Sequence, residues 1–335
     1  MFNHLRDRFR KFRYLRCEPM QLQQMQADLL AESTLNAQFL ILIIGSCAIA
    51  TFGLLSNSAA VIIGAMIVAP LMLPIRGLAF GALSGNLVLF RKGAIALTVG
   101  TLLAVAIAYS IGRVVQFADY GSEVWARSQP TLLDLGVAIA AGGISGYAKV
   151  EPKISGSLAG TAIAVALMPP VCVIGLGLAQ MNVSLSQGAT LLYVTNLLGI
   201  ALSCMVAFLL AGYATLHRAR RALILALALT AVLILPLGVS FVRLVRQAQL
   251  EASVERALRD RTLTFQRVQL LSSQTNWQAN PPEVRLSVRA QAPITPRQVE
   301  LLEAFITREM GQPFQLIFEV GQVEEVRSTA SPSRN

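Results

Sequence analysis

Two stretches of the chain put prolines where an apolar helix would otherwise run on. IVAPLMLPIRG (67–77) carries Pro70, Pro74 and Arg76, and AVALMPPVCVIG (164–175) carries Pro169 and Pro170. Proline has no N–H, and its ring clashes with the carbonyl four residues back, so each pair interrupts a helix and frees backbone polar groups. Inside an apolar layer such groups are tolerated only against protein or a watery cavity. Broken helices are also how many membrane transporters build a solute site. Arg76 follows the first break. It either attracts an anionic solute, helped by the N–H groups of the helix restarting after Pro74, or is a cytoplasmic-face cation at the end of its span.

Three further residues have side chains suited to a solute path. Asp134 and Glu151 stand at the two edges of a later apolar segment. Buried, either carboxylate takes up a proton for coupling; at the interface each is solvated, Glu151 between Lys149 and Lys153. Asn196, beside Thr195, lies well inside an apolar segment, where its amide needs a partner on another helix or on a solute. An enzyme is not expected. GGISG (142–146) places Ser145 in a GxSG pattern, but a serine nucleophile needs a base, and the two histidines, His4 and His217, fall outside the apolar segments. No HExxH, phosphate loop or dinucleotide glycine signature occurs. The four cysteines show no metal or disulfide spacing, so neither metal nor cofactor is expected and the cysteines read as small apolar fillers.

The elements that position these residues are apolar spans. Of 335 residues, 54% are hydrophobic and 14% charged, and the mean hydropathy is +0.59. Soluble chains carry about 25% charged residues. Spans are read at about 36–55, 57–90 through the first proline stretch, 93–112, 132–148, 154–179 through the second, 188–213 and 222–242. The expected fold is therefore an all-α polytopic membrane bundle of about seven spans, followed by a small α+β domain. The domain boundaries are a basic cytoplasmic leader (1–35), a transmembrane domain (36–243), the α+β domain (244–327) and a disordered tail (328–335). Whether residues 75–90 cross on their own stays open.

Basic clusters give the orientation. With the leader inside, Arg91-Lys92, Lys149 with Lys153, and HRARR (217–221) also fall inside, as the positive-inside rule requires. The loop 113–130 and the uncharged QMNVSLSQ then lie outside, as does the C-terminal domain. The net charge of +10 is thus an orientation signal, and nucleic acid is not an expected partner. Expected partners are the lipid bilayer, anionic lipid at the leader, whose arginines alternate with aromatic residues, and further copies of the chain. The expected location is the inner (plasma) membrane.

In the tail, a polar helix precedes TLTFQRVQLL and PEVRLSVRAQ, which alternate as strands. TPRQVELLEAFITREMG then reads as a helix capped by Thr295, with Pro296 in its first turn and Gly311 at its end. PFQLIFEV is a further strand.

An offset of 96 aligns Gly64 with Gly160, Leu71-Met72 with Leu167-Met168, Pro74 with Pro170, Gly81 with Gly177 and Asn86 with Asn182. The chain then holds two three-span repeats, 36–112 and 132–213, and an extra span, 222–242. Three is odd, so the repeats are inverted relative to each other across the membrane. The alternative is that the prolines only bend helices for packing. The Gly77, Gly81, Gly85 series has small-xxx-small spacing and reads as close helix packing.

GLLSNSAAVIIGAMIVAPLMLPIRGLAFG and SGSLAGTAIAVALMPPVCVIGLGLA resemble the two signature regions of a bacterial family of hydrophobic membrane proteins, the domain of unknown function 389. The resemblance implies a multi-span membrane protein and supplies no activity or site. Two functions stand side by side. One is a secondary transporter or channel-like permease for a small solute or ion. The other is an anchor that presents the α+β domain outside for envelope sensing or assembly. A polar cavity between spans two and five separates them.

Overall fold

The computed structural model describes residues 19–116, 119–151, 167–214, 216–261, 268–276, 281–290, 294–311 and 313–322. The arginine-rich leader segment, the first half of span five and the RSTASPSRN tail lie outside these residues. The chain divides into two compact units, Met1–Phe241 and Val242–Asn335.

The first unit is helical. In chain order it runs α1 Pro19–Glu32, α2 Ala37–Leu55, α3 Ala59–Val68, α4 Met72–Ser84, α5 Leu87–Val115, α6 Ser122–Ala126, α7 Leu132–Val150, α8 Met168–Ala179, α9 Val183–Leu210 and α10, which starts at Leu216 and ends at Arg261. Among the described residues, α2, α5, α9 and the Ala219–Arg246 stretch of α10 are long and apolar enough to cross a membrane, and the bent pair α3–α4 adds a fifth if it is one span. The expected seven are not reached. α7 has the 19 residues needed but holds Asp134, Lys149 and four glycines, and span five is described only from Leu167, as the 12-residue α8. α9 is the most enclosed span, 61% buried in its apolar window against 17% for the Ala219–Arg246 stretch, so α9 is central and that stretch peripheral.

Three helix reversals share one backbone design. The N–H of Ser58, Asn86 and Asn182 each donates to the carbonyl five residues earlier, of Gly53, Gly81 and Gly177, at 2.9 Å. The residues just before them, Asn57, Gly85 and Met181, are left-handed, with φ of 51°, 73° and 56°. Such a bond ends a helix while satisfying its last carbonyls. Asn86 and Asn182 then cap the next helix, their Oδ1 accepting the N–H of Leu89 and Leu185 at 3.1 and 3.0 Å. The glycines are needed for the close approach of the returning helix: a Cβ on Gly81 would lie 2.5 Å from the Phe90 nitrogen, and one on Gly177 3.0 Å from the Ser186 nitrogen. The small-xxx-small expectation therefore holds for Gly81. Gly85 has open space around it and serves its positive φ instead.

The second unit has its own core of Val284, Leu286, Val288, Leu302, Ile306, Phe314 and Leu316. Strands β1 Val268–Asn276, β2 Glu283–Ala290 and β3 Gln315–Gln322 form a sheet in that order. β1 and β2 pair antiparallel, and β2 and β3 pair parallel. A parallel neighbour requires a crossover, which α11, Pro296–Met310, supplies. Thr295 and Gln298 form a capping box, and Gly311 closes the helix at φ 70°.

Two outcomes follow. Gly81→Ala should destabilise the detergent-solubilised protein by about 1–3 kcal/mol through overpacking, and Gly85→Ala by about 1 kcal/mol through left-handed strain alone. Met181→Gly should raise the melting temperature. Thermal unfolding of the three variants checks the ranking. The fragment from Val242, expressed alone, should unfold cooperatively; a non-cooperative melt would mean that its core needs the membrane unit.

Candidate functional site

The prolines sit at helix starts. Pro74 is the third residue of α4, and Pro169 and Pro170 are the second and third of α8. First-turn N–H groups have no helical partner, so proline there removes donors that would otherwise be orphans. All four prolines, Pro70 included, are buried. Between α3 and α4 the axis bends by 52° across residues 69–71, and the Leu73 N–H donates to the Pro70 carbonyl at 3.1 Å. The break expected in the first proline stretch is present. The mechanism differs from the expected one, because each proline thins the donor set of the restarting helix. That weakens the backbone contribution to anion attraction near Arg76.

Helices 96 residues apart run in opposite directions when both are measured against α5. α4 is antiparallel to it: a Cβ on Gly93 would touch the Pro74 carbonyl at 2.7 Å, while Gly81 meets Phe90. α8 is parallel to it: Gly175 meets Val105, and Gly112 meets Ala179. The contacts swap accordingly. Phe80 of α4 packs edge-on against Phe208 of α9, with ring centroids 5.2 Å apart. Adding 96 to 80 and subtracting 96 from 208 gives Leu176 and Gly112, which are also in contact, at 3.1 Å from a Gly112 Cβ to the Leu176 side chain.

A cavity of about 270 Å³ opens where these elements meet. Met66 near the end of α3, Pro170 at the start of α8, Asn196 of α9, Arg127 and Asp134 all line it. Three sequence candidates, Asp134, Pro170 and Asn196, thus share one space. Asn196 is 13 residues into α9, about 20 Å from that helix's start, so the cavity reaches well into the unit. Val137 and Leu192 make its apolar walls. Arg127 is held by Glu123, its Nη1 2.7 Å from the carboxylate and 2.6 Å from the Glu123 carbonyl. Asp134 Oδ2 accepts the Thr131 N–H and hydroxyl at 2.7 and 2.8 Å, which closes the capping box of α7. The loop around this end is pinned further: Asn57 Oδ1 accepts the Glu123 N–H at 2.9 Å, and the Tyr120 hydroxyl donates to the Leu176 carbonyl at 3.1 Å. Burial raises the Tyr120 pKa, so it remains a donor.

Arg76 does not line that cavity. Its Nε donates to Ser145 Oγ of α7 at 2.7 Å, and its guanidinium faces Glu32 at 3.9 Å. Lys149 reaches the same Glu32 at 2.8 Å and Asp28 at 3.7 Å. The leader helix α1 therefore carries acidic partners for cations of α4 and α7. It can approach because Gly77 leaves room for Ser33, whose hydroxyl a Cβ there would strike. Glu151 ends α7 as its C-cap, half-buried. Cys172, 96 residues after Arg76, lies 3.6 Å from Cys47 in the buried core.

Sequence reasoning missed Arg127 and Glu32. Glu123 and Arg127 are four apart, the spacing of a helical ion pair, and α6 was readable from that. Glu32 had no local partner to reveal it. Glu32→Gln should leave Arg76 without its counter-charge and Lys149 with Asp28 alone, at 3.7 Å. The expected loss is about 1–3 kcal/mol, because the group is partly solvated, and thermal unfolding reads it. Arg76→Lys should not restore the Ser145 contact, since that contact uses the guanidine Nε.

No solved structure matches the chain. An uncharacterised protein of the archaeon Methanocaldococcus jannaschii is 26% identical over 176 residues, 52% of this chain and 55% of that protein, so the chain spans about half the length of this curated relative. The family model described as Domain of unknown function (DUF389) matches residues 66–202, which take in both proline stretches, as the resemblance of those stretches led one to expect.

Proposed function

We infer that this membrane protein is a secondary transporter or channel-like permease for a small solute or ion. The observation that carries the reading is the cavity between the end of α3 and the start of α8, with Asp134, Arg127 and Asn196 in an otherwise apolar wall. A protein that only anchors a second domain has no use for charged and amide groups facing a space between the end of α3 and the start of α8. The opposed directions of α4 and α8, and the swapped contacts Phe80–Phe208 and Leu176–Gly112, support an inverted three-plus-three repeat. In that arrangement the leader and the Arg76–Glu32–Lys149 cluster face the cytoplasm, and the cavity opens outward. The described structure is then an outward-facing state, closed at the leader end by ion pairs. The anchor reading draws on the separate core of the second unit, which needs no transport to explain it.

The test is flux of small solutes and ions into liposomes holding the full chain. Pro74→Ala and Pro170→Ala each restore a helix donor. They should lower flux by about tenfold or more, equivalent to about 1.4 kcal/mol on the barrier, while melting near the parent. No flux with any solute would leave the anchor. A reporter fused after Arg246 should be active only as an extracytoplasmic marker; cytoplasmic activity would refute the seven-span orientation.

A further inference from the structure

The geometry points to an ammonium site: the cavity between α3, α7, α8 and α9 binds the protonated amine of a small organic solute at Asp134. This inference rests on the transport reading and names its substrate class. The first support is charge. Asp134 accepts only neutral donors, the Thr131 N–H and hydroxyl, both on Oδ2. No cation lies within ion-pair distance of it among the described residues, so only the Thr131 donors and the start of α7 offset its charge. Arg127 faces the same space, yet it is already neutralised by Glu123 at 2.7 Å. Glu123, Arg127 and Asp134 together leave one negative charge at the wall.

The second support is shape. About 270 Å³ exceeds what a bare ion or a few waters require. Met66, Val137 and Leu192 give that space apolar walls, which suit a short hydrocarbon body and not a hydrated ion. The ligand chemistry is therefore a primary ammonium on an apolar stem. A simple alkylamine and an α-amino acid share it, and they differ in whether a carboxylate can also reach Arg127.

The experiment is ligand binding to the full chain in nanodiscs at neutral pH, by calorimetry and by thermal shift, with n-butylammonium, norvaline and butyrate as probes. Butylammonium or norvaline should bind and raise the melting temperature dose-dependently, and butyrate should not. Asp134→Asn keeps a side-chain oxygen for the capping box and removes the charge; it should weaken amine binding by about tenfold or more. Norvaline stronger than butylammonium supports an amino acid whose carboxylate meets Arg127. The reverse order supports an amine alone. The inference is overturned if butyrate binds as well as the amines, if Asp134→Asn binds them as tightly as the parent, or if neither amine binds. The sign of the probe that binds the parent decides the matter even if the variant fails to fold. Amine binding without flux would end the transport reading and leave the site. Flux of other solutes without amine binding would do the opposite.

Discussion

Backbone that leaves the helix inside an apolar layer has to find partners for its N–H and C=O groups, and that constraint governs the first unit. The chain meets it in two ways. At its three glycine reversals it recovers the orphan carbonyls internally, with a bond to the carbonyl five residues back and an asparagine or serine at the head of the next helix. At its proline breaks it deletes the orphan donors, by placing Pro74, Pro169 and Pro170 in first turns. Both routes let helices stop and restart without exposing bare backbone to lipid. Between α3 and α4 the 52° bend leaves a gap as well, because two half-helices that do not continue each other cannot fill the volume that one helix would.

That gap explains where polar side chains collect. Asn196 is 4% exposed on the most enclosed span, a place where an amide is costly unless it meets another polar surface. Asp134 reaches the same space from the first turn of α7, where the helix dipole favours a carboxylate. Its structural duty as a cap and its position in the cavity wall do not compete, because the two Thr131 bonds use a single oxygen. A carboxylate held this way keeps its geometry without a cation beside it.

The helices were legible where periodicity and capping agree. Thr295, Pro296 and Gly311 marked α11 to within a residue, whereas the spans expected from residues 93 and 188 begin earlier, at Leu87 and Val183, because Asn86 and Asn182 cap them. The proline stretches located the break between α3 and α4. The role of the prolines was less legible, since a proline that interrupts a helix and one that opens the next helix look alike in a sequence. Arg76 had two readings from its position. Its partners Glu32 and Ser145 lie 44 residues before it and 69 residues after it, and no local pattern connects such distances. The cavity was only half visible: Asp134, Pro170 and Asn196 each stood out singly, but only the tertiary path brings them together and adds Arg127.

The departures from the 96-residue correspondence carry the last step. Where Arg76 stands in the first half, Cys172 stands in the second and packs against Cys47. Where Phe208 fills the α4–α9 contact with a ring, Gly112 lets α5 and α8 approach closely, a Cβ there meeting Ala179 at 2.9 Å. On the proposed inverted arrangement, two equal halves would have no preferred side. A large aromatic pair and an ion cluster in one half, against a close glycine contact and a buried thiol in the other, break that balance. The leader end is held by interactions with definite partners, chiefly Glu32 between Arg76 and Lys149, and the α5–α8 contact is held by close glycine packing instead. The leader helix is thus part of the balance, since it brings the acid that stands between both cations; without Glu32, Arg76 loses its carboxylate and Lys149 keeps only Asp28, at 3.7 Å.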